Sequence, residues 1–168
     1  MDQGILIARL VIGLVMAAHG AQKAFGWFGG HGLAGVGSFF ENLGFKPGRL
    51  FAAAAATGEL AGGLLIALGF LGPIGPAVVL SVMIVAAISV HWRQGLFATS
   101  NGIEVPLLYA TVAATLALTG PGRYSLDALL GLSSLWTTPI AWVALVVAVI
   151  GALANLAIRR TSVASKAL

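Results

Sequence analysis

FAAAAATGELAGGLLIALGFLGPIGPAVVLSVMIVAAISVHW, residues 51–92, carries one charged side chain, Glu59, in 42 residues. A helix needs roughly 20 apolar residues to cross the ~30 Å hydrocarbon layer of a bilayer. This stretch is long enough to cross twice. Its midpoint, GFLGPIGPAV at 69–78, concentrates the glycines and prolines that break a helix and turn the chain. The pattern predicts a transmembrane hairpin, with one span over 50–70 and the next over 74–92.

The rest of the chain agrees. Of its 168 residues, 59% are hydrophobic and 8% charged, and the mean hydropathy is +1.00. A water-soluble fold of this length buries only about 70% of its extended-chain surface, so much of that apolar surface needs lipid. Three more apolar runs, 4–24, 103–119 and 139–158, bring the count to five spans in an all-α membrane protein. Asp2 and Gln3 stand where a signal peptide carries basic residues, and Arg9 interrupts the apolar run, so the first span is expected to be retained.

The small net charge of +4 gives no reason to invoke nucleic acid. With five spans, Lys23, Lys46, Arg49, Arg93, Arg159, Arg160 and Lys166 fall at one end, and Arg9 and Arg123 at the other. The positive-inside rule then places the N-terminus outside and the C-terminus in the cytoplasm. The absence of cysteine removes disulfides, thiol catalysis and cysteine-ligated clusters. The glycines of FGWFGGHG, 25–32, follow no strand and lack the lysine and hydroxyl of a phosphate loop. No internal repeat is visible. Residues 25–49 are too polar to span and are expected at the interface, with a weakly amphipathic run over 33–43. Residues 119–136 read as an outer loop with a short helix, capped by Ser125 and with Asp127 in its first turn.

Ionisable groups within the hydrocarbon are costly and usually kept for a partner or a function. On a helical wheel, Arg9, Gly13, Met16, His19, Gly20 and Lys23 share one face of the first span. That face is expected to look into the bundle. Glu59 lies near the middle of the second span, between Arg9 and His19 in depth. The expectation is a polar shaft, with Arg9 and Glu59 in the core and His19, Lys23, His91 and Glu104 near the basic mouth. Asn101 and Tyr109 stand close by. Arg9 and Glu59 are read either as a structural ion pair or as part of proton or ligand chemistry. Lys23, Arg93 and Glu104 also fit interfacial side chains that reach for the headgroups. His31 reads as a surface residue. Ala54, Gly58 and Gly62 form a small-residue strip suited to helix packing.

RLVIGLVMAAHGAQKAFGWFGGHGLAGVGSFFENLGF (9–45) resembles the N-terminal signature of the DoxX family. GELAGGLLIALGFLGPIGPAVV (58–79), VHWRQGLFATSNGIEVPLLY (90–109) and ALTGPGRYSLDALL (117–130) resemble its later blocks. The resemblance implies a four-helix transmembrane bundle over 1–136, with the glycine-rich interfacial loop at 25–49. An appended fifth C-terminal transmembrane helix would occupy 137–158, and a basic, polar cytoplasmic tail 159–168. It marks Arg9, His19, Gly20, Lys23, Glu59, His91, Asn101, Glu104 and Asp127 as motif positions. It further implies membrane redox chemistry, as an accessory or quinone-binding subunit of an oxidoreductase or oxidative-stress complex in a bacterial plasma membrane. In that reading His19 and Glu59 serve the quinone head group, Lys23, His91 and Glu104 relay protons, and a partner protein supplies the redox centre. The first alternative is a non-enzymatic anchor, assembly or structural subunit, alone or as a homo-oligomer. Weaker alternatives are a small transporter lined by Arg9 and Glu59, and a haem b protein with His19 and His91 as axial ligands. Without haem, no metal site is expected.

Overall fold

The computed structural model describes residues 2–160. These fold into helices α1 (Asp2–Phe25), α2 (Gly32–Asn42), α3 (Gly48–Leu68), α4 (Ile74–Ala86), α5 (Glu104–Thr119), α6 (Leu126–Leu129) and α7 (Thr138–Ala157). No strand occurs among the described residues. Four helical stretches, Asp2–Phe25, Gly48–Leu68, Ile74–Gln94 and Thr138–Ala157, are long and apolar enough to cross a membrane. The third of them is α4, prolonged through a wider turn at Ala87–His91 and a last turn at Trp92–Gln94. The fourth predicted span, 103–119, corresponds to α5. Its 16 residues rise about 24 Å, somewhat less than the hydrocarbon thickness.

The frame of the bundle is the antiparallel pair α1 and α3, which share the largest helix interface. Glycines bring the two backbones together. A Cβ on Gly13 would lie 2.5 Å from Ala67 N, and one on Gly63 would lie 2.5 Å from Ala17 N. A Cβ on Gly20 would strike the backbone at Leu60 and Ala56. In lipid, such close approach supplies the dispersion contacts that hold helices together. It also fixes the register: Glu59 stands level with residues 19–20, and Arg9 level with the end of α3. The buried residues of α1 are Arg9, Gly13, Met16, Ala17, Gly20 and Ala21, a face close to the one on the helical wheel.

Gly58 and Gly62 point the other way, to α4. A Cβ on Gly62 would come within 3.0 Å of Val79 Cγ2, and one on Gly58 within 3.0 Å of Val82 Cγ2. The strip is therefore filled by the next helix of the same chain. α4 in turn packs against α5 and α7. α7 ends where Arg160 N–H donates to Gly44 O at 2.9 Å and Arg159 donates to Leu43 O. The Arg159 guanidinium also sits 5.7 Å over the ring of buried Phe45. The predicted tail is thus described only at these two arginines, and 161–168 lie outside the described residues. The outward faces of α1 (Ile7, Val11, Leu14) and α7 (Val143, Val146, Val147, Ile150) are exposed and apolar, as a lipid-facing surface requires.

Candidate functional site

The polar side chains do not form one shaft. They divide between the two ends of the bundle, and the predicted meeting of Arg9 and Glu59 does not occur. In the register set by the glycines they stand about ten residues apart along the helix axis, or roughly 15 Å.

Arg9 is 3% exposed and, among the described residues, its side chain donates only to backbone carbonyls. Its Nε donates to Ile66 O and an Nη to Ala67 O, both at 3.0 Å. The other Nη donates to Tyr124 O at 2.9 Å and to Pro121 O. Two of these carbonyls belong to the last turn of α3, where the helix supplies no further i+4 donors; Ile66 O also accepts from Gly69 N–H at 3.1 Å. The cation also sits favourably at the negative end of that helix. Asp127, fully buried, accepts from Leu71 N–H at 3.0 Å and from Gly72 N–H at 2.7 Å. These bonds hold the α3–α4 turn in a shape that requires positive φ at Leu71 (61°) and Gly72 (51°). Ser125 caps α6 by accepting from Ala128 N–H. Arg9 and Asp127 together tie residues 121–127 to the hairpin turn. The dipole reading of Asp127 missed this, because a short-range pattern carries no sign of a partner 55 residues away.

Glu59 meets Lys23 instead. The ammonium forms an ion pair with the carboxylate, with the lysine side chain 26% exposed and the glutamate 4%. Helical side chains lean toward the N-terminus of their own helix. Lys23 therefore reaches back one turn, to the level of residues 19–20 where Glu59 stands. Its interfacial reading gives way to this inward contact.

The pair lies on the wall of a cavity of about 420 Å³ between α2, α3, α4 and α7. One wall is aromatic: Phe39, Phe40, Phe45 and Phe51 pack in series, with ring centroids 5.2–6.1 Å apart. The floor and sides are Ala54, Ala55, Gly58, Val78, Val82 and Val85. His91, on the wide turn that ends α4, also lines the space. Its Nδ1 is hydrogen-bonded to Asn101 O at 2.7 Å, which leaves Nε2 for another partner.

The other candidates stand apart from this cavity. His19 packs edge-on against Tyr109 of α5, with ring centroids 6.2 Å apart. Neither lines the cavity, so the pairing of His19 with Glu59 at one head group is not the arrangement found. Glu104 accepts from Ala98 N–H at 2.7 Å, and Asn101 adopts a left-handed turn. Both organise the exposed α4–α5 connection and are not relay groups on the cavity wall. His31 is exposed at the start of α2. Among the described residues no group of three or more His, Cys, Asp or Glu is placed to hold a metal ion. Sequence reasoning missed the four phenylalanines and also Ser81, Ser89 and Asn155 on the cavity wall. Their spacing is that of ordinary membrane helices, and only the meeting of four helices gives them a common space.

Comparison with known proteins agrees with the fold. The sequence model that describes the DoxX family matches residues 4–92, more than half of the chain. No curated protein and no solved structure matches.

Proposed function

The chain belongs to the DoxX family, a multi-pass membrane protein, and we propose that it binds a quinone or quinol as a membrane subunit of a larger redox assembly. The observation that carries this reading is the Lys23–Glu59 pair, set on the wall of a mostly apolar cavity of about 420 Å³. That volume lies within the ~300–1,000 Å³ of small-molecule sites, which are mostly apolar with a few placed polar groups. A quinone needs such a site: an apolar slot for ring and tail, and hydrogen-bonding groups at its oxygens. When bound, it supplies two-electron chemistry in which protons and electrons are taken up together. Lys23 is the donor that would face one oxygen, Glu59 would hold Lys23 charged, and His91, whose Nδ1–H donates to Asn101 O, would offer Nε2 as an acceptor for the hydroxyl of the reduced ring. Electrons would come from a partner protein. The anchor reading gains nothing from the Gly58–Gly62 strip, which α4 already covers.

Orientation belongs to the same proposal. Lys46, Arg49, Arg93, Arg159 and Arg160 lie at the cavity's end of the bundle. Arg9 is buried among carbonyls, which leaves Arg123 as the exposed basic group opposite. The positive-inside rule then places the cavity mouth toward the cytoplasm of a bacterial plasma membrane.

The test is a native mass spectrum in mild detergent after incubation with ubiquinone-2. The expected result is a retained quinone mass on the wild type and its loss from Glu59→Gln that still melts as a folded protein. Lipid alone on both would favour the anchor.

A further inference from the structure

Two further polar side chains on the cavity wall make no hydrogen bond among the described residues. Ser81, on α4, is half-buried and its hydroxyl has no hydrogen-bond partner among the described residues. Ser89, Thr111, Thr115 and Thr119 instead each donate to the carbonyl four residues earlier, and Thr57, which also has no partner among the described residues, is exposed and does not line the cavity. Asn155, near the end of α7, is also half-buried, and its amide likewise has no partner among the described residues. Both line the cavity. A polar group in a membrane helix that bonds to nothing in its own protein, yet faces an internal space, is poised for a ligand.

Register places these groups. Gly62 faces Val79 and Gly58 faces Val82, so Glu59 on α3 and Ser81 on α4 stand at one depth. On the α7 side, a Cβ on Gly151 would lie 3.9 Å from Ser81 Oγ, and Asn155 follows Gly151 by one turn, about 6 Å toward the basic end. Polar groups thus reach the cavity from two pairs of helices: the charged pair from α1 and α3, and the hydroxyl of Ser81 and amide of Asn155 from α4 and α7, with His91 at the basic end of α4. A phospholipid needs its polar contacts at one end only. A ring with oxygens at opposite positions needs them on both sides.

We propose that Ser81 and Asn155 form a second polar subsite, which holds the carbonyl of a para-dicarbonyl ring that points away from Lys23–Glu59. This rests on the quinone reading and narrows it to ligands with two opposed oxygens. Ser81 and Asn155 are binding residues that select the ligand. They contribute no charge, and each can donate to a carbonyl or accept from a hydroxyl, so the subsite suits both oxidised and reduced rings.

The test is equilibrium binding in lipid nanodiscs with two probes: a decyl-substituted dimethoxy-benzoquinone, and a decyl phenol of matched ring size with a single oxygen. Ser81→Ala and Asn155→Leu are the variants, and Asn155→Gln is the conservative control. Each of the two variants is expected to weaken the quinone about tenfold, corresponding to one hydrogen bond, with the phenol within twofold of wild type. Asn155→Gln is expected to recover part of the loss. Equal weakening of both probes would show that the residues only shape the space and would overturn the subsite. Unchanged binding of both probes to both variants would do the same, while leaving the quinone reading intact. Failure of the wild type to bind the quinone would overturn the quinone reading, and the subsite with it.

Discussion

At the scale of single residues, the two cations of α1, buried Arg9 and half-buried Lys23, solve the same problem differently. Arg9 spreads its charge over four carbonyls, and Lys23 neutralises one carboxylate. Planar guanidinium donors suit the first task and a compact ammonium the second. Removing either partner of a buried pair strands the other. Glu59 is the more enclosed member and has no route to the headgroups, whereas Lys23 can turn outward. Lys23→Met is therefore expected to lose about 3 kcal/mol and Glu59→Gln distinctly less. Thermal melts in one detergent check this, and the reverse order would contradict the placement of Glu59. Arg9→Met should be severe, because it leaves the carbonyls of Ala67, Pro121 and Tyr124 without their donor and that of Ile66 with only the Gly69 N–H. A hydrogen bond to a charged group is worth about 1.5–3 kcal/mol, so a loss above ~3 kcal/mol is expected. Arg9→Met protein that survives should still bind quinone, since Arg9 lies at the opposite end from the cavity.

At the scale of elements, the outcome turns on where glycine meets backbone and where it meets side chain. Gly20→Ala would press on the main chain of α3 at Leu60 and Ala56, which has no room to yield. Gly58→Ala would press on a methyl of Val82, which can shift. Overpacking costs typically about 1–3 kcal/mol, so Gly20→Ala should lose at least that and Gly58→Ala at most about 1. Chemical denaturation in mixed micelles separates them. Much of this level was legible beforehand. The apolar run at 51–92 announced the hairpin, the inward face of α1 followed from its period, and Ser125 marked a cap. The pairings were not legible. Depth alone set Arg9 and Glu59 near each other, but the contact is decided by register, and register by Gly13, Gly20 and Gly63. Likewise Phe39, Phe40, Phe45 and Phe51 share a wall only because α2 folds back onto α3.

At the scale of the molecule, the arrangement separates structure from chemistry. One end is closed by Arg9 and Asp127, which hold residues 121–127 to the hairpin turn. The other holds the cavity, its aromatic wall and most of the basic surface. α7, beyond the family match at 4–92, completes that cavity with Gly151 and Asn155 and fastens its end to Leu43 and Gly44. The natural chain has no cysteine, which makes orientation simple to read. Single cysteines at Arg93 and Arg123 should label oppositely with an impermeant maleimide: Arg93→Cys only in inverted vesicles, Arg123→Cys on intact cells.

The most direct measurement is photo-crosslinking with an azido-quinone in nanodiscs, followed by peptide mapping. A quinone in the cavity predicts adducts within 54–59 and 78–91 that vanish under excess unlabelled quinone. Adducts spread over the outward faces of α1 and α7, or persisting under competition, would mean that the quinone only dissolves in the surrounding lipid, and would contradict a binding site at the Lys23–Glu59 pair.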